Sequence, residues 1–163
     1  MNGEGSLSDP AERQKDRRLG VLLVDDNQMF LDTAIAFLQR HNELLDIGTA
    51  LEGTKALVQA QELQPQVILI DLDMPDLSGL ETIPRLRAML PHTGIIALTL
   101  LNGSAYRRAA LAAGADEYVP KAAMTTDLLP AIQRVVRKYQ PEVDRCDLLE
   151  RIVCLNSHAG TEE

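Results

Sequence analysis

Short apolar runs that alternate with helically spaced segments constrain this chain more than any other feature. The runs Val21–Val24, Asp46–Ala50, Val67–Ile70, Gly94–Leu98 and Glu117–Val119 are strand-sized, and Val-Leu-Leu-Val and Val-Ile-Leu-Ile have no polar alternation. Unbroken apolar runs of that length are what a parallel strand buried on both faces requires. Between them, Met29, Ala34, Phe37 and Leu38 share one face of a first predicted helix. Ala56, Leu57, Ala60 and Leu63 mark a second, and Leu80, Ile83, Leu86 and Leu90 a third. Leu111 among alanines marks a fourth, and Leu128, Leu129, Ile132, Val135 and Val136 a fifth. Asn27, Ser78 and Asp127 are predicted helix starters, and Pro65, Pro91 and Pro141 predicted stops. Pro84 and Pro130 fall within two turns of their helix starts, where proline disrupts least. The alternation predicts an α/β fold, a three-layer sandwich around a five-stranded parallel sheet with right-handed crossovers.

The roughly 118 residues from Gly20 to Arg137 account for the whole unit, within the usual size of one domain. Residues 1–19 read as a polar, flexible leader, 20–138 as the domain, and 139–163 as an acidic tail. With five aromatics and no Trp, the core must be built from Val, Ile, Leu and Ala. No apolar run is long enough to span a membrane, and the polar leader has no secretory h-region. Cys146 and Cys154 are too few for a disulfide framework and too isolated for a zinc site, so a reducing cytoplasm is the expected compartment. His41, His92 and His158 are scattered and show no metal spacing. The net charge of −8 disfavours binding to phosphate backbones. Half of it lies on residues 139–163, which carry six acids and two bases.

In an open doubly wound sheet, ligands bind at the carboxyl ends of the strands. The first strand ends in Asp25-Asp26, the third in Asp71, the fourth in Thr99, and the fifth runs through Tyr118-Val119-Pro120 into Lys121. If the strand order is 2-1-3-4-5, strands one, three, four and five are consecutive neighbours and these groups converge on one rim. Three clustered carboxylates raise one another's pKa unless a cation neutralises them. Lys121 is one candidate, and Mg²⁺, which accepts a few carboxylates and keeps waters for an incoming phosphoryl oxygen, is the expected metal. Such a rim suits phosphoryl transfer to a carboxylate, with Asp71 as nucleophile and Thr99 donating to the moving group.

These residues resemble the CheY-like receiver domain of two-component response regulators, a flavodoxin-like fold. The matching motifs are Val24-Asp25-Asp26-Asn27, Ile70-Asp71-Leu72-Asp73-Met74-Pro75-Asp76-Leu77-Ser78-Gly79, Thr99, and Gly114-Ala115-Asp116-Glu117-Tyr118-Val119-Pro120-Lys121. Leu129-Pro130-Ala131-Ile132 further resembles receivers of the NarL/FixJ class. The resemblance implies that Asp71 accepts a phosphoryl group from a sensor histidine kinase or a phosphotransfer protein. It implies that Asp26, Asp71 and the main-chain carbonyl of Asp73 hold Mg²⁺, with Asp25 helping through water. Thr99 and Lys121 would contact the phosphoryl oxygens, and Tyr118 would be an aromatic rotamer switch. The helix 4–strand 5–helix 5 face, which carries the exposed pair Arg107 and Arg108, would meet an output protein. The chain would then be a phosphoacceptor switch that autocatalyses only its own phosphotransfer and dephosphorylation.

One departure is the pair Leu100-Leu101 at the entrance, where the family usually keeps a small residue after the fourth strand's Thr or Ser. Asp73 adds a further negative charge there. Two other classes compete. Asp71-Leu72-Asp73 has the D-x-D form of haloacid-dehalogenase-like phosphatases, but that motif normally ends a first strand, not a third. A phosphorylation-independent pseudo-receiver is favoured weakly by Leu100 and opposed by the retained acids, Thr99 and Lys121.

NarL/FixJ-class receivers usually precede a helix-turn-helix domain, which needs on the order of 60 residues and a basic surface. Only 26 residues follow Arg137, and they are acidic, so direct nucleic-acid contact is not expected; a single-domain regulator is favoured over a truncated one. Val143, Cys146, Leu148 or Leu149, Ile152 and Val153 recur at helical spacing. This tail reads as a frayed end or as a short amphipathic helix, which folds back or pairs with a second copy in a homodimer.

Overall fold

The computed structural model describes residue 9 and residues 18–41 and 45–139. Its strands are β1 (Leu19–Val24), β2 (Leu45–Ala50), β3 (Val67–Ile70), β4 (Gly94–Thr99) and β5 (Glu117–Pro120). Its helices are α1 (Gln28–His41), α2 (Gly53–Leu63), α3 (Gly79–Met89), α4 (Ser104–Ala113) and α5 (Met124–Tyr139), the last entered through a 3-10 turn at Lys121–Ala123. All strand pairs are parallel, as the alternation of elements led one to expect, and the order is β2-β1-β3-β4-β5, the one that brings the strand-end acids to one rim. The architecture is the three-layer α/β sandwich.

The unbroken apolar runs are explained by two cores, one on each face of the sheet. Leu19, Val21 and Leu23 point to one side, onto Leu31, Ala34 and Leu38 of α1 and Leu128, Ile132 and Val135 of α5. Leu22 and Val24 point to the other, where Ile68 and Ile70 also meet Ala56 and Ala60 of α2 and Ile83 and Leu86 of α3. A strand that serves both cores has no solvent face on which to place polar residues.

Several local expectations are corrected. Met29 was expected on the buried face of α1 but is 80% exposed, and Leu31 takes its place. Leu31, Ala34 and Leu38 follow the i, i+3, i+7 spacing that one helix face requires, which Met29 does not share with them. Leu63 and Leu111 are likewise exposed. Leu19, expected in the leader, is the buried first residue of β1 and pairs with Leu45. Tyr139, expected in the tail, ends α5. That helix begins at Met124, not at Asp127. Asn27 does cap α1, its Oδ1 accepting from Phe30 N–H at 3.2 Å. Ser78 opens α3 in a capping box, accepting from Glu81 N–H at 3.2 Å while its own N–H donates to Glu81 Oε2 at 3.1 Å. The tail helix, Cys146 and Cys154 lie outside the described residues, as does most of the leader.

The amino-terminal edge of the sheet is closed around Asp116. Its Oδ2 accepts from Ile95 N–H at 2.9 Å and from Arg87 Nη2 at 2.7 Å. Its Oδ1 accepts from Lys138 Nζ at 2.7 Å and from the Tyr139 hydroxyl at 2.6 Å. These donors hold the carboxyl below the usual range despite its burial, which acts the other way. The last turn of α5 is thereby tied to β4 and α3. Among the described residues, no helix is long and apolar enough to cross a membrane.

Candidate functional site

Strand register builds the site. Val24 is the partner of Ile70, so the residues that follow them, Asp25 and Asp71, leave the sheet side by side. Ile70 pairs with Ala97, two residues before Thr99, and Thr99 pairs with Pro120, one residue before Lys121. Four loops thus deliver the candidate side chains to one end of the sheet, as that strand order requires.

Asp25 and Asp71 are buried, at 2% and 6% exposure, and Thr99 is fully buried, whereas Asp26 and Asp73 are exposed. Carboxylate oxygens of Asp25, Asp26 and Asp71 lie within 4.8 Å of one another. Lys121 Nζ stands 2.5 Å from Asp25 Oδ2 and 3.5 Å from Asp71 Oδ2. Asp25 Oδ1 accepts from Asn27 N–H at 2.8 Å, and Asp71 Oδ1 from Asp73 N–H at 3.4 Å. Burial pushes the Asp71 carboxyl above its ordinary pKa. Lys121 pulls it down, the Asp25 charge adds to the rise, and the Asp73 N–H and the Thr99 hydroxyl pull it down again.

The donor set fits a hard divalent cation. Three carboxylates against one ammonium leave a formal charge of −2 at the cluster, which such an ion cancels. Asp25 Oδ2 is buried and makes no aligned hydrogen bond; its contact with Lys121 is an ion pair alone. An oxygen held in that state has a lone pair to offer a metal-bound water.

The loop after Asp71 is built by close approach. A Cβ on Gly79 would come within 2.2 Å of Asp71 O and 2.7 Å of Leu72 Cα, so only glycine lets α3 start against the back of the site. Asp76 crosses to α2, where Glu52 provides no side-chain cap. Its carboxylate accepts from Gly53 N–H at 3.2 Å, Thr54 N–H at 3.3 Å and the Thr54 hydroxyl at 3.1 Å. Backbone donors, that of Leu77 foremost, hold its pKa down to about 2. No role for Asp76 was legible from its place in the motif.

From Thr99 a chain of hydrogen bonds leads away from the acids. Thr99 Oγ1 accepts from Leu101 N–H at 3.1 Å, and the Leu101 carbonyl accepts from the Tyr118 hydroxyl. Tyr118 and Leu101 both pack, half-buried, on the core beneath α2, α3 and α4. Leu100 is 73% exposed at the mouth of the site, and Arg107 and Arg108 are exposed on α4. The sequence reading also missed Phe30, whose ring lies 4.1 Å from Lys121 Nζ. An aromatic in a first helical turn carries no signal that the lysine following β5 will cover it.

Comparison with known proteins agrees with this geometry. Residues 21–133 match the family described as response regulator receiver domain. The chain is 32% identical over 128 residues to response regulator protein VraR of Staphylococcus aureus, a match covering 76% of this chain and 60% of the relative. It therefore spans about 60% of the length of the curated relatives it matches. Among solved structures, the chemotaxis protein CheY4 of Vibrio cholerae is 29% identical, with a TM-score of 0.66 over 72% of this chain and 98% of that one. The BeF3-activated DrrB receiver domain is 30% identical, with a TM-score of 0.66 over 74% and 98%.

Proposed function

Because this chain belongs to the response regulator receiver domain family of two-component systems, we propose that it is a Mg²⁺-dependent switch phosphorylated on Asp71. The observation that carries the reading is the cluster itself: three acids within 4.8 Å, with the Lys121 ammonium 3.5 Å from the Asp71 carboxylate. A sensor histidine kinase or a phosphotransfer protein is the donor. As a bond forms between the Asp71 carboxylate oxygen and phosphorus, the phosphorus–nitrogen bond to the donor imidazole breaks, and that nitrogen keeps the electron pair and takes up a proton.

Asp26, Asp71 and the main-chain carbonyl of Asp73 are the residues that would hold Mg²⁺, with Asp25 acting through water. A Mg²⁺ bound there supplies neutralisation of the charge on the transferring phosphoryl oxygens. Lys121 leaves Asp25 for a phosphoryl oxygen, and the Thr99 hydroxyl donates to another. When Thr99 turns its hydroxyl to the phosphoryl group it gives up the Leu101 N–H, and Leu101 is the residue that Tyr118 holds. The phosphorylated state is favoured by the better contacts Thr99 and Lys121 make there, which shift a pre-existing equilibrium. The face of α4, β5 and α5 then changes its affinity for an output protein or for a second copy. A kinase-linked role is consistent with a cytoplasmic chain. Leu100 at the entrance, and the Asp73 charge beside it, set the rate at which donor and water arrive, while Leu101, expected at the entrance too, packs on the core.

The test is intact mass after incubation with acetyl phosphate. A gain of one phosphoryl group that requires Mg²⁺ and vanishes in Asp71→Ala is expected. Binding of an output partner that ignores donor and Mg²⁺ would instead establish a phosphorylation-independent module.

A further inference from the structure

Lys121 is held on more than its two carboxylates. Its ammonium lies 4.1 Å from the centroid of the Phe30 ring, so one side of the charge faces Asp25 and Asp71 and another faces an aromatic ring. The ring is itself fixed by the site. Asp25 Oδ1 accepts the Asn27 N–H at 2.8 Å, and Asn27 Oδ1 accepts the Phe30 N–H at 3.2 Å. Phe30 lies against Lys121, and Lys121 returns to Asp25 Oδ2 at 2.5 Å. Asp25, Asn27, Phe30 and Lys121 therefore close a circuit in which the acid that attracts the ammonium also sets the helix cap that carries the ring.

We propose that Phe30 is a positioning residue for Lys121, an inference that rests on the phosphoryl-transfer reading above. A cation over a ring face is attracted by the ring quadrupole without a directional bond. A polar side chain in the same place would claim one of the three ammonium hydrogens. The ring leaves all three for oxygens and excludes water from the far side of the charge. The ammonium can thus pass from Asp25 to a phosphoryl oxygen on Asp71 while the attraction to the ring is kept. Phe30 touches no reacting atom; it acts through Lys121.

The test compares wild type, Phe30→Leu and Phe30→Tyr, with two readouts. The first is the rate of phosphorylation by acetyl phosphate and Mg²⁺, read by intact mass. The second is the proton shift of the Lys121 ε-methylene in labelled protein without donor, assigned by its loss in Lys121→Met. The expected result is an upfield ring-current shift in wild type and in Phe30→Tyr that disappears in Phe30→Leu. Phosphorylation should be about three- to tenfold slower in Phe30→Leu, the range expected when a rotamer-rich side chain is no longer held in place beforehand, and restored in Phe30→Tyr. Phe30→Met serves as a second flexible apolar replacement should Phe30→Leu not fold. An ε-methylene shift that Phe30→Leu leaves in place, or a lost shift with an unchanged rate, overturns the role of Phe30 alone. A wild type that accepts no phosphoryl group overturns the underlying reading, while the ring-current shift still decides whether ring and ammonium are in contact.

Discussion

Lys121 Nζ lies a full ångström closer to Asp25 than to Asp71, at 2.5 Å against 3.5 Å, so the ammonium rests on a neighbour of the proposed acceptor. All three side chains are buried, and removing the cation leaves two carboxylates facing each other without compensation. Lys121→Met is expected to lose about 3–5 kcal/mol at neutral pH without Mg²⁺, as breaking a buried pair does. The deficit should shrink on acidification. Burial already raises the Asp71 pKa, and protonating Asp71 removes the charge that Lys121 balanced. Chemical denaturation across pH measures this, and a variant as stable as wild type at pH 7 would contradict it.

Asp26 is the exposed member of the acidic cluster, so its replacement leaves the core intact while removing one of the charges proposed to hold Mg²⁺. An ion that binds the folded chain alone stabilises it by about 2.7 kcal/mol at a hundred times its Kd. Thermal unfolding against Mg²⁺ concentration should therefore show a rising midpoint in wild type. In Asp26→Asn the same rise should require much more Mg²⁺. Identical titrations for the two proteins would remove Asp26 from the binding set.

Asp76 ties the loop after Asp71 to the start of α2, and its pKa is lowered to about 2 from an ordinary 3.8. A carboxyl depressed in the folded state contributes stability above its unfolded pKa, and that contribution is lost as pH falls toward the folded pKa. Wild type should accordingly lose stability between about pH 4 and pH 2 more steeply than Asp76→Asn does. Denaturation curves taken through that window decide the matter. Equal slopes would mean that the carboxylate does not clamp the loop in solution.

Gly79 leaves no room for a Cβ, because Asp71 O would stand 2.2 Å away. Gly79→Ala must push α3 off the loop after Asp71, at an expected cost of about 2–4 kcal/mol. Equilibrium unfolding measures it. A neutral or stabilising effect, as at an ordinary helix N-terminus, would contradict the close approach.

Much of this was legible in the chain because the strands are short and end on their functional residues. Val21–Val24 and Val67–Ile70 are apolar throughout, and each stops at an acid, so strand order alone brought Asp25 and Asp71 together. Local rules also found the Asn27 and Ser78 caps. They misjudged Met29, since an apolar side chain at a helix start satisfies more than one apparent periodicity until the neighbouring sheet selects the buried face. Asp76 with Thr54, Arg87 with Asp116, and Phe30 with Lys121 were not legible at all. Each pair comes from distant parts of the chain, and nothing in the local spacing of either partner records the contact. The Leu101 link between Thr99 and Tyr118 runs through backbone atoms, which any residue supplies.

The central claim is that Asp71 itself carries the phosphoryl group. An acyl phosphate is reduced by borohydride to the alcohol, which converts the modified aspartate into homoserine. The chain would be treated with acetyl phosphate and Mg²⁺, reduced, digested and sequenced by mass spectrometry. Homoserine at position 71, absent when Mg²⁺ is chelated, is the expected result. Aspartate retained at 71 with homoserine at 25, 26 or 73, or at none of these positions, would contradict the account.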